Sequence, residues 1–182
     1  MLFLDGRVKM IDSSTTVNCD HASYSEEDDR LQLEGNVVVK DRDAVLKAPS
    51  GTYDRGRGAA DLYGGVEGRD KRQRILCDRA VYQRDSLVLH ARGKVRAFDD
   101  ENRIELQSEA VDYDRRNHWV EAARDPLLRL LDEEGRPTEI RALRLRVNTE
   151  TRYAEAIDSV IVTRDSLRAR ADLAHFDDRA GR

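Results

Sequence analysis

The strongest constraint on this fold is a Gly-x-Val motif that recurs every 29 residues. The motif stands at residues 6–8, 35–37, 64–66 and 93–95. Tyrosines keep the same step at Tyr24, Tyr53 and Tyr82, and the step lengthens to 31 residues at Tyr113. A fixed period of this kind is typical of one supersecondary unit stacked on copies of itself. The sequence therefore predicts six repeats of about 29–33 residues that fill residues 1–182 as a single domain.

Two later segments continue the repeat with weaker matches. Asp125-Pro126-Leu127 and Asp158-Ser159-Val160 stand where the fifth and sixth Gly-x-Val motifs are expected. Residues 124–131 could also form a short helix. Pro126 disfavours a helix there, because proline lacks the N–H that an interior helical residue donates. We therefore predict a strand in this segment.

Apolar and polar residues alternate within each repeat, which is typical of β-strands. In the second repeat, Leu31 and Leu33 share a face with Val37 and Val39 along one strand. Leu46 resumes that face on the next strand. Polar turns separate the strands, for example the glycine-rich residues 54–58. Each repeat is thus predicted to be two strands joined by turns.

Every predicted strand has a break in its alternation. In the first strand of a repeat, the glycine of the motif marks the break. In the second strand, inward residues are three apart at Cys19/Ala22 and Cys77/Ala80, an odd step that needs a bulge to keep both on one face. The residues predicted at these bulges are Asp20, Pro49-Ser50, Asp78 and Asp172. The chain is therefore predicted to be all-β, with each strand creased so that its halves lie on two facing sheets.

Composition excludes several classes of function. The chain is 39% apolar and 37% charged, with a net charge of −4 and basic residues interleaved with acidic ones. Without a basic arm or stripe, nucleic acid is not an expected partner. No apolar run is long enough to span a bilayer as a helix. Residues 1–8 do not have the length or basic flank of a signal peptide, so a cytoplasmic protein and a mature exported domain both stay open.

The two cysteines are predicted to be free thiols. Cys19 and Cys77 make neither a disulfide framework nor a metal motif. They lie two whole repeats apart, and four strand spacings amount to roughly 19 Å. A disulfide requires Cα atoms within about 7 Å of each other.

No residue pattern predicts catalysis. Adjacent acids such as Asp28/Asp29 and Glu133/Glu134 fall in predicted turns, where solvated carboxylates are usual. The four histidines occupy different positions within the repeats, so a shared metal site is not expected: His21, His90, His118 and His175. No nucleophile elbow or phosphate loop is present. We therefore expect no enzyme activity, no cofactor and no metal.

The tyrosines at a fixed position in the repeat suggest a structural role. Tyr24, Tyr53, Tyr82 and Tyr113 are predicted to form a ladder of like residues that stabilises the stack. The same rings could also line the mouth of an apolar trough.

The repeat resembles a known family. The segments that carry the resemblance are residues 35–39 (Gly-Asn-Val-Val-Val) with Gly51-Thr52-Tyr53-Asp54, and residues 93–95 with Val111-Asp112-Tyr113-Asp114. These resemble the OstA-like (LptA) family, which includes periplasmic lipopolysaccharide-transport proteins and the related N-terminal domain of the outer-membrane protein LptD. The resemblance implies an antiparallel β-jellyroll, open along one side, whose apolar interior shields acyl chains on the way to the outer membrane. It also implies a periplasmic location.

The resemblance implies which residues contact lipid, namely those that face inward. They are Val37, Val39, Leu46, Tyr53, Val66, Ile75, Tyr82, Leu89, Val95, Leu106 and Tyr113. Lipid phosphates would stay outside, where the turn arginines Arg42, Arg55 and Arg72 could meet them. The expected ligand is thus lipopolysaccharide or a similar glycolipid.

An open sheet leaves an unpaired strand edge at each end, here near residues 4–10 and 167–176. We therefore expect head-to-tail association, either as a homo-oligomer or with other β-jellyroll transport proteins.

The alternative interpretation is a parallel β-helix that binds carbohydrate or is purely structural. An aromatic content of 5%, mostly at inward tyrosines, disfavours it.

Overall fold

The computed structural model describes residues 1–70, 73–151 and 153–177. Within these ranges the chain is built from strands, and no helix there is long and apolar enough to cross a membrane. The fourteen strands are β1 (Leu2–Asp12), β2 (Thr15–Ser25), β3 (Arg30–Asp41), β4 (Ala44–Asp54), β5 (Ala59–Asp70), β6 (Gln73–Gln83), β7 (Val88–Asp99), β8 (Ile104–Asp114), β9 (Trp119–Ala123), β10 (Leu127–Leu131), β11 (Pro137–Arg141), β12 (Arg144–Asn148), β13 (Tyr153–Arg164) and β14 (Leu167–Asp177).

The strands form one antiparallel sheet in which neighbours in sequence are mostly neighbours in space. β8 pairs with β10 through its first half and with β9 through its second half, so β9 and β10 are two halves of one creased strand. β11 and β12 divide β13 between them in the same way. Counting each divided strand once gives two strands for each of the six predicted repeats. The all-β jellyroll prediction is confirmed, and the antiparallel pairing excludes the parallel β-helix.

The crease lies where the sequence predicts it. Between β3 and β4 the pairing runs to Glu34↔Ser50 and resumes at Val37↔Ala48, which leaves two residues unpaired on β3 against one, Pro49, on β4. The same two-against-one bulge occurs between β1 and β2, β5 and β6, β7 and β8, and β13 and β14. The unpaired residues on the second strands include the predicted Asp20, Pro49, Asp78 and Asp172.

The motif glycine is required by this bulge. Gly35 and Asn36 both have left-handed backbone, with φ of 74° and 48°. A Cβ on Gly35 would lie 2.5 Å from Asp20 Oδ2, the same oxygen that accepts a hydrogen bond of 2.7 Å from Asn36 Nδ2. Glycine relieves the steric cost at this position and leaves room for the aspartate.

The fifth repeat corrects the predicted alignment by one residue. The sequence alignment put Asp125 at the glycine position and Pro126 at the second left-handed position. In the structure, Arg124 and Asp125 have φ of 67° and 60°, and Pro126 is the first buried residue after the bulge. Proline cannot adopt a positive φ, so the bulge has to precede it. The predicted strand after the bulge is confirmed as β10.

The crease divides the sheet into two facing halves. In the second repeat, half-sheet A contains residues 30–34 and 50–54, and half-sheet B contains residues 37–41 and 44–48. Inward side chains of both halves make one continuous core, in which Leu33, Val37 and Leu62 are almost completely buried. Cys19 and Cys77 lie in this core as free thiols, which confirms that prediction.

Candidate functional site

The eleven residues predicted to line the trough all face the interior. Nine are buried, and the two partly buried residues, Ile75 and Tyr113, pack against the same core. Strand alternation explains this placement, because every second residue between two bulges points to the inner face. The inward orientation is therefore established, while contact with lipid stays a prediction.

Between the half-sheets lies an apolar cavity. It has about 1060 Å³ of space not filled by atoms, including the part that is continuous with solvent. Its walls come from strands β3 to β10 and from β12. The predicted residues in its lining are Val39, Leu46, Ile75, Tyr82, Leu89, Leu106 and Tyr113. The other four, Val37, Tyr53, Val66 and Val95, are buried in the core outside this lining.

A second cavity of about 820 Å³ continues the first toward the C-terminal end. The two cavities share Asn102, Ile104, Leu128 and Val147, and the second extends to Phe176 on β14. The open interior therefore runs through the later repeats and ends at the last described strand.

On the side opposite the crease, side chains from the two half-sheets meet. The Tyr53 hydroxyl, on half-sheet A, donates a hydrogen bond of 2.8 Å to Asp12 Oδ2, on half-sheet B. Arg84 Nη1, from the turn after β6, donates to the same oxygen at 2.9 Å. We call such a set of aspartate, tyrosine and arginine a clasp, since it joins the strand ends of half-sheet A to the strand ends of half-sheet B on the side opposite the crease.

A second clasp lies one repeat further along. The Tyr82 hydroxyl donates to Asp41 Oδ2 at 2.5 Å, and Arg115 Nη1 donates to the Tyr82 hydroxyl at 3.2 Å. Arg115 also donates to Asp70 Oδ2 at 2.8 Å and to Asp43 Oδ1 at 2.9 Å. The Arg115 side chain is only 12% exposed and Asp70 is 18% exposed, so this ion pair is largely shielded from water, whereas Asp43 is 45% exposed.

The clasp residues recur with the period of the repeat, a signal that the sequence prediction missed. Asp12, Asp41, Asp70 and Asp99 follow the 29-residue step, as do Arg55 and Arg84. The ladder interpretation of the tyrosines was wrong for Tyr53 and Tyr82, because successive tyrosines lie two strands, or about 9.6 Å, apart. Their hydroxyls bond across the trough to aspartates 41 residues earlier in the chain.

The environment of the clasps keeps the tyrosines protonated. Burial, followed by the hydrogen bond to Asp12, raises the pKa of Tyr53 to about 12. Burial and the hydrogen bond to Asp41 likewise raise the pKa of Tyr82 to about 12. Both phenols are therefore donors at neutral pH, as a hydrogen bond to a carboxylate requires.

The predicted turn arginines do not gather at the cavity. Arg42 is exposed, Arg55 pairs with Asp29, and Arg72 lies outside the described residues. The arginines that border the cavity are Arg69, Arg74 and Arg115. Arg74 lies over the ring of Phe98, with its guanidinium carbon 4.6 Å from the ring centroid. Sequence reasoning missed Arg69 and Arg74 because they lie within strands, near the strand ends, and not in turns. It missed Arg115 although this residue holds the same turn position as Arg55.

These features define a class of protein: an antiparallel β-jellyroll that is folded over a crease and encloses an apolar trough. No protein-family model and no curated protein matches the sequence. Among solved structures, the chain is similar to LptH from Pseudomonas aeruginosa, described as the LptA-homologous periplasmic component of the conserved lipopolysaccharide transport device. The match has 16% identity and a TM-score of 0.55, and covers 60% of this chain and 82% of LptH. The chain therefore has an LptA-like fold.

Proposed function

We propose that this protein is a non-enzymatic carrier that shields the acyl chains of lipopolysaccharide, or of a similar glycolipid, in its apolar trough. The observation that carries the proposal is the apolar cavity between the half-sheets, which is continuous with solvent and has the polar residues Asp70, Asn102 and Arg115 in its lining. A cavity with mostly apolar walls and a few polar groups suits an amphiphile, whose alkyl part leaves water while its head group stays outside.

The driving force is burial of apolar surface. Each methylene that moves from water into the trough contributes about 0.8 kcal/mol. Guanidinium groups in the cavity lining can donate charge-assisted hydrogen bonds to phosphate oxygens. Arg74, which lies over the Phe98 ring, is one such group. A site of this kind binds and releases lipid without chemistry, so the protein is a passive track. The LptA-like fold supports a periplasmic location and a role in transport to the outer membrane.

Acyl binding can be tested with a fluorescent long-chain fatty acid and a charge inside the trough. Ile75 lines the cavity, and Ile75→Asp should weaken binding by more than about tenfold, because the carboxylate must be desolvated by the alkyl chain. The matched control is Leu76→Asp, since Leu76 is adjacent, also partly buried and absent from the cavity lining. Equal affinity of both variants would contradict the trough as the binding site.

The ends of the sheet supply a second part of the proposal, which is head-to-tail association. β1 pairs only with β2, and β14 pairs only with β13, so each has one unpaired edge among the described strands. Most of the exposed large apolar side chains lie on or beside these two strands: Met1, Leu2, Phe3, Leu4, Ile11, Leu167, Leu173 and Phe176. Pairing of β14 with β1 of another copy would satisfy the edge and cover these residues, and the trough would continue across the junction.

A proline at the β14 edge should block this association. Because a two-residue turn joins Arg164 to Leu167, that pair is hydrogen-bonded, and alternation along the strand leaves the Arg170 N–H on the outer edge. Arg170→Pro should therefore abolish a concentration-dependent rise in mass measured by light scattering, with little loss of stability. Arg170→Ala, which keeps the N–H, should associate as the wild type does. A wild type that stays monomeric at high concentration would overturn this part of the proposal.

A further inference from the structure

The clasps are built on one turn position that recurs four times. At each occurrence, the backbone N–H of the first turn residue donates to a carbonyl oxygen about one repeat earlier in the chain. The donors are Arg55, Arg84, Arg115 and Thr149, and the acceptors are Asp29, Gly58, Leu87 and His118. Thr149 therefore occupies the position that Arg84 and Arg115 use to complete the first and second clasps.

The third clasp position is left open. By the repeat, its members are Asp70, Tyr113 and Thr149. The Thr149 side chain lies within hydrogen-bonding range of the Tyr113 hydroxyl, but no hydrogen bond joins Tyr113 to Asp70 on the other half-sheet. Asp70 Oδ2 accepts instead from Arg115, and Asp70 Oδ1 is buried without a hydrogen-bond partner. Replacement of arginine by threonine removes the long donor that bridges the two edges in the first and second clasps.

The open position lies in the wall of the apolar cavity, because Asp70, Tyr113 and Thr149 all line that cavity. So does Asn102, whose Oδ1 is also buried without a partner. Two unsatisfied acceptors therefore face a largely apolar space. A ligand that satisfies them has a hydroxyl or amide N–H at the head-group end of an alkyl chain.

We propose that the third clasp position is a lateral port through which an acyl chain enters the trough, and that the two closed clasps prevent entrance along the first repeats. Asp70 and Asn102 would accept hydrogen bonds from a hydroxyl or amide group at the base of the chain. The position of Thr149, where the earlier repeats have arginine, determines where lipid enters. This proposal rests on the proposed function, since it requires that the trough binds acyl chains.

The port can be closed by building the missing clasp. Thr149→Arg adds a guanidinium at the third clasp position, which is equivalent to the position of Arg115 in the second clasp. By this equivalence, the new side chain should reach Tyr113 and Asp70. We expect stopped-flow association of a fluorescent long-chain fatty amide, whose N–H groups can donate to Asp70 and Asn102, to slow by about tenfold, with slower dissociation as well, because a closed port hinders both directions. Thr151→Arg is the control, since it adds the same charge to the same turn and should leave the binding of this uncharged probe unchanged.

The converse variant opens a clasp. Tyr82→Phe removes the hydroxyl that bonds to Asp41 and should accelerate association several-fold. If Thr149→Arg and Tyr82→Phe both bind at the wild-type rate, the port is overturned while the carrier function stands. If the wild type binds neither the fatty amide nor a fatty acid, the carrier function and the port fall together. Thermal melting of each variant identifies any that fails to fold, and in that case the other variant decides.

Discussion

Val95→Asp is expected to lower the free energy of unfolding by about 4 kcal/mol or more. Val95 is 1% exposed and directly follows the Gly93-Lys94 bulge of the fourth repeat. A carboxylate there has no partner among its apolar neighbours, so it must either be buried as a charge or take up a proton. Domains of this size are usually stable by only about 5–15 kcal/mol, so the loss should be evident as a large fall in the urea midpoint.

The pH dependence gives this result a signature. Burial should raise the pKa of the introduced carboxyl in the folded state above its usual value of about 3.9. The deficit should therefore be smallest below that pH and should grow as pH rises through the folded-state pKa. Val38→Asp is the matched control. It is the same substitution, but Val38 lies on the outer side of β3, between the buried Val37 and Val39. Equal destabilisation of the two variants would show that the inward assignment of Val95 is wrong.

Arg115→Gln should be the second most damaging change, at about 2–4 kcal/mol. Its guanidinium bonds to Asp70, Asp43 and the Tyr82 hydroxyl. Without it, the Asp70 carboxylate, whose side chain is 18% exposed, loses the ion pair of 2.8 Å that Arg115 makes with it. The loss should be measurable by urea unfolding, and Asp70→Asn in the same chain should recover part of it.

Arg55→Gln is the control for this prediction. Arg55 holds the same turn position, but its side chain is 51% exposed and its partner Asp29 is 46% exposed. Exposed ion pairs contribute little, so the change should stay within about 0.5 kcal/mol. If Arg55→Gln and Arg115→Gln lower the free energy of unfolding by equally small amounts, the clasps do not stabilise the contact between the two half-sheets.

The sequence predicts the crease and the inward face because both follow from local rules. A left-handed bulge at Gly35 and the period-two alternation from Leu31 to Val39 are visible within a few residues. The alignment of the fifth motif was wrong by one residue at Pro126. It was placed by spacing alone, although the negative φ of proline requires the left-handed bulge to end before Pro126.

The clasps could not be placed from the sequence, although their residues repeat. Tyr53 lies on β4, and its partner Asp12 is the last residue of β1. The strand ends of the two half-sheets therefore meet with an offset of three strands. That offset depends on sheet twist summed over several strands, which single-sequence periodicity does not report.

The most direct test of the acyl-binding trough is a crystal structure of the protein grown with a lipopolysaccharide analogue or a long-chain detergent. We predict continuous alkyl density between the half-sheets, in contact with Leu46, Ile75 and Leu106, and a head group near Asp70 and Arg115. Alkyl density confined to the outer faces of the sheet, or an interior that stays without ligand density at saturating concentration, would contradict the account.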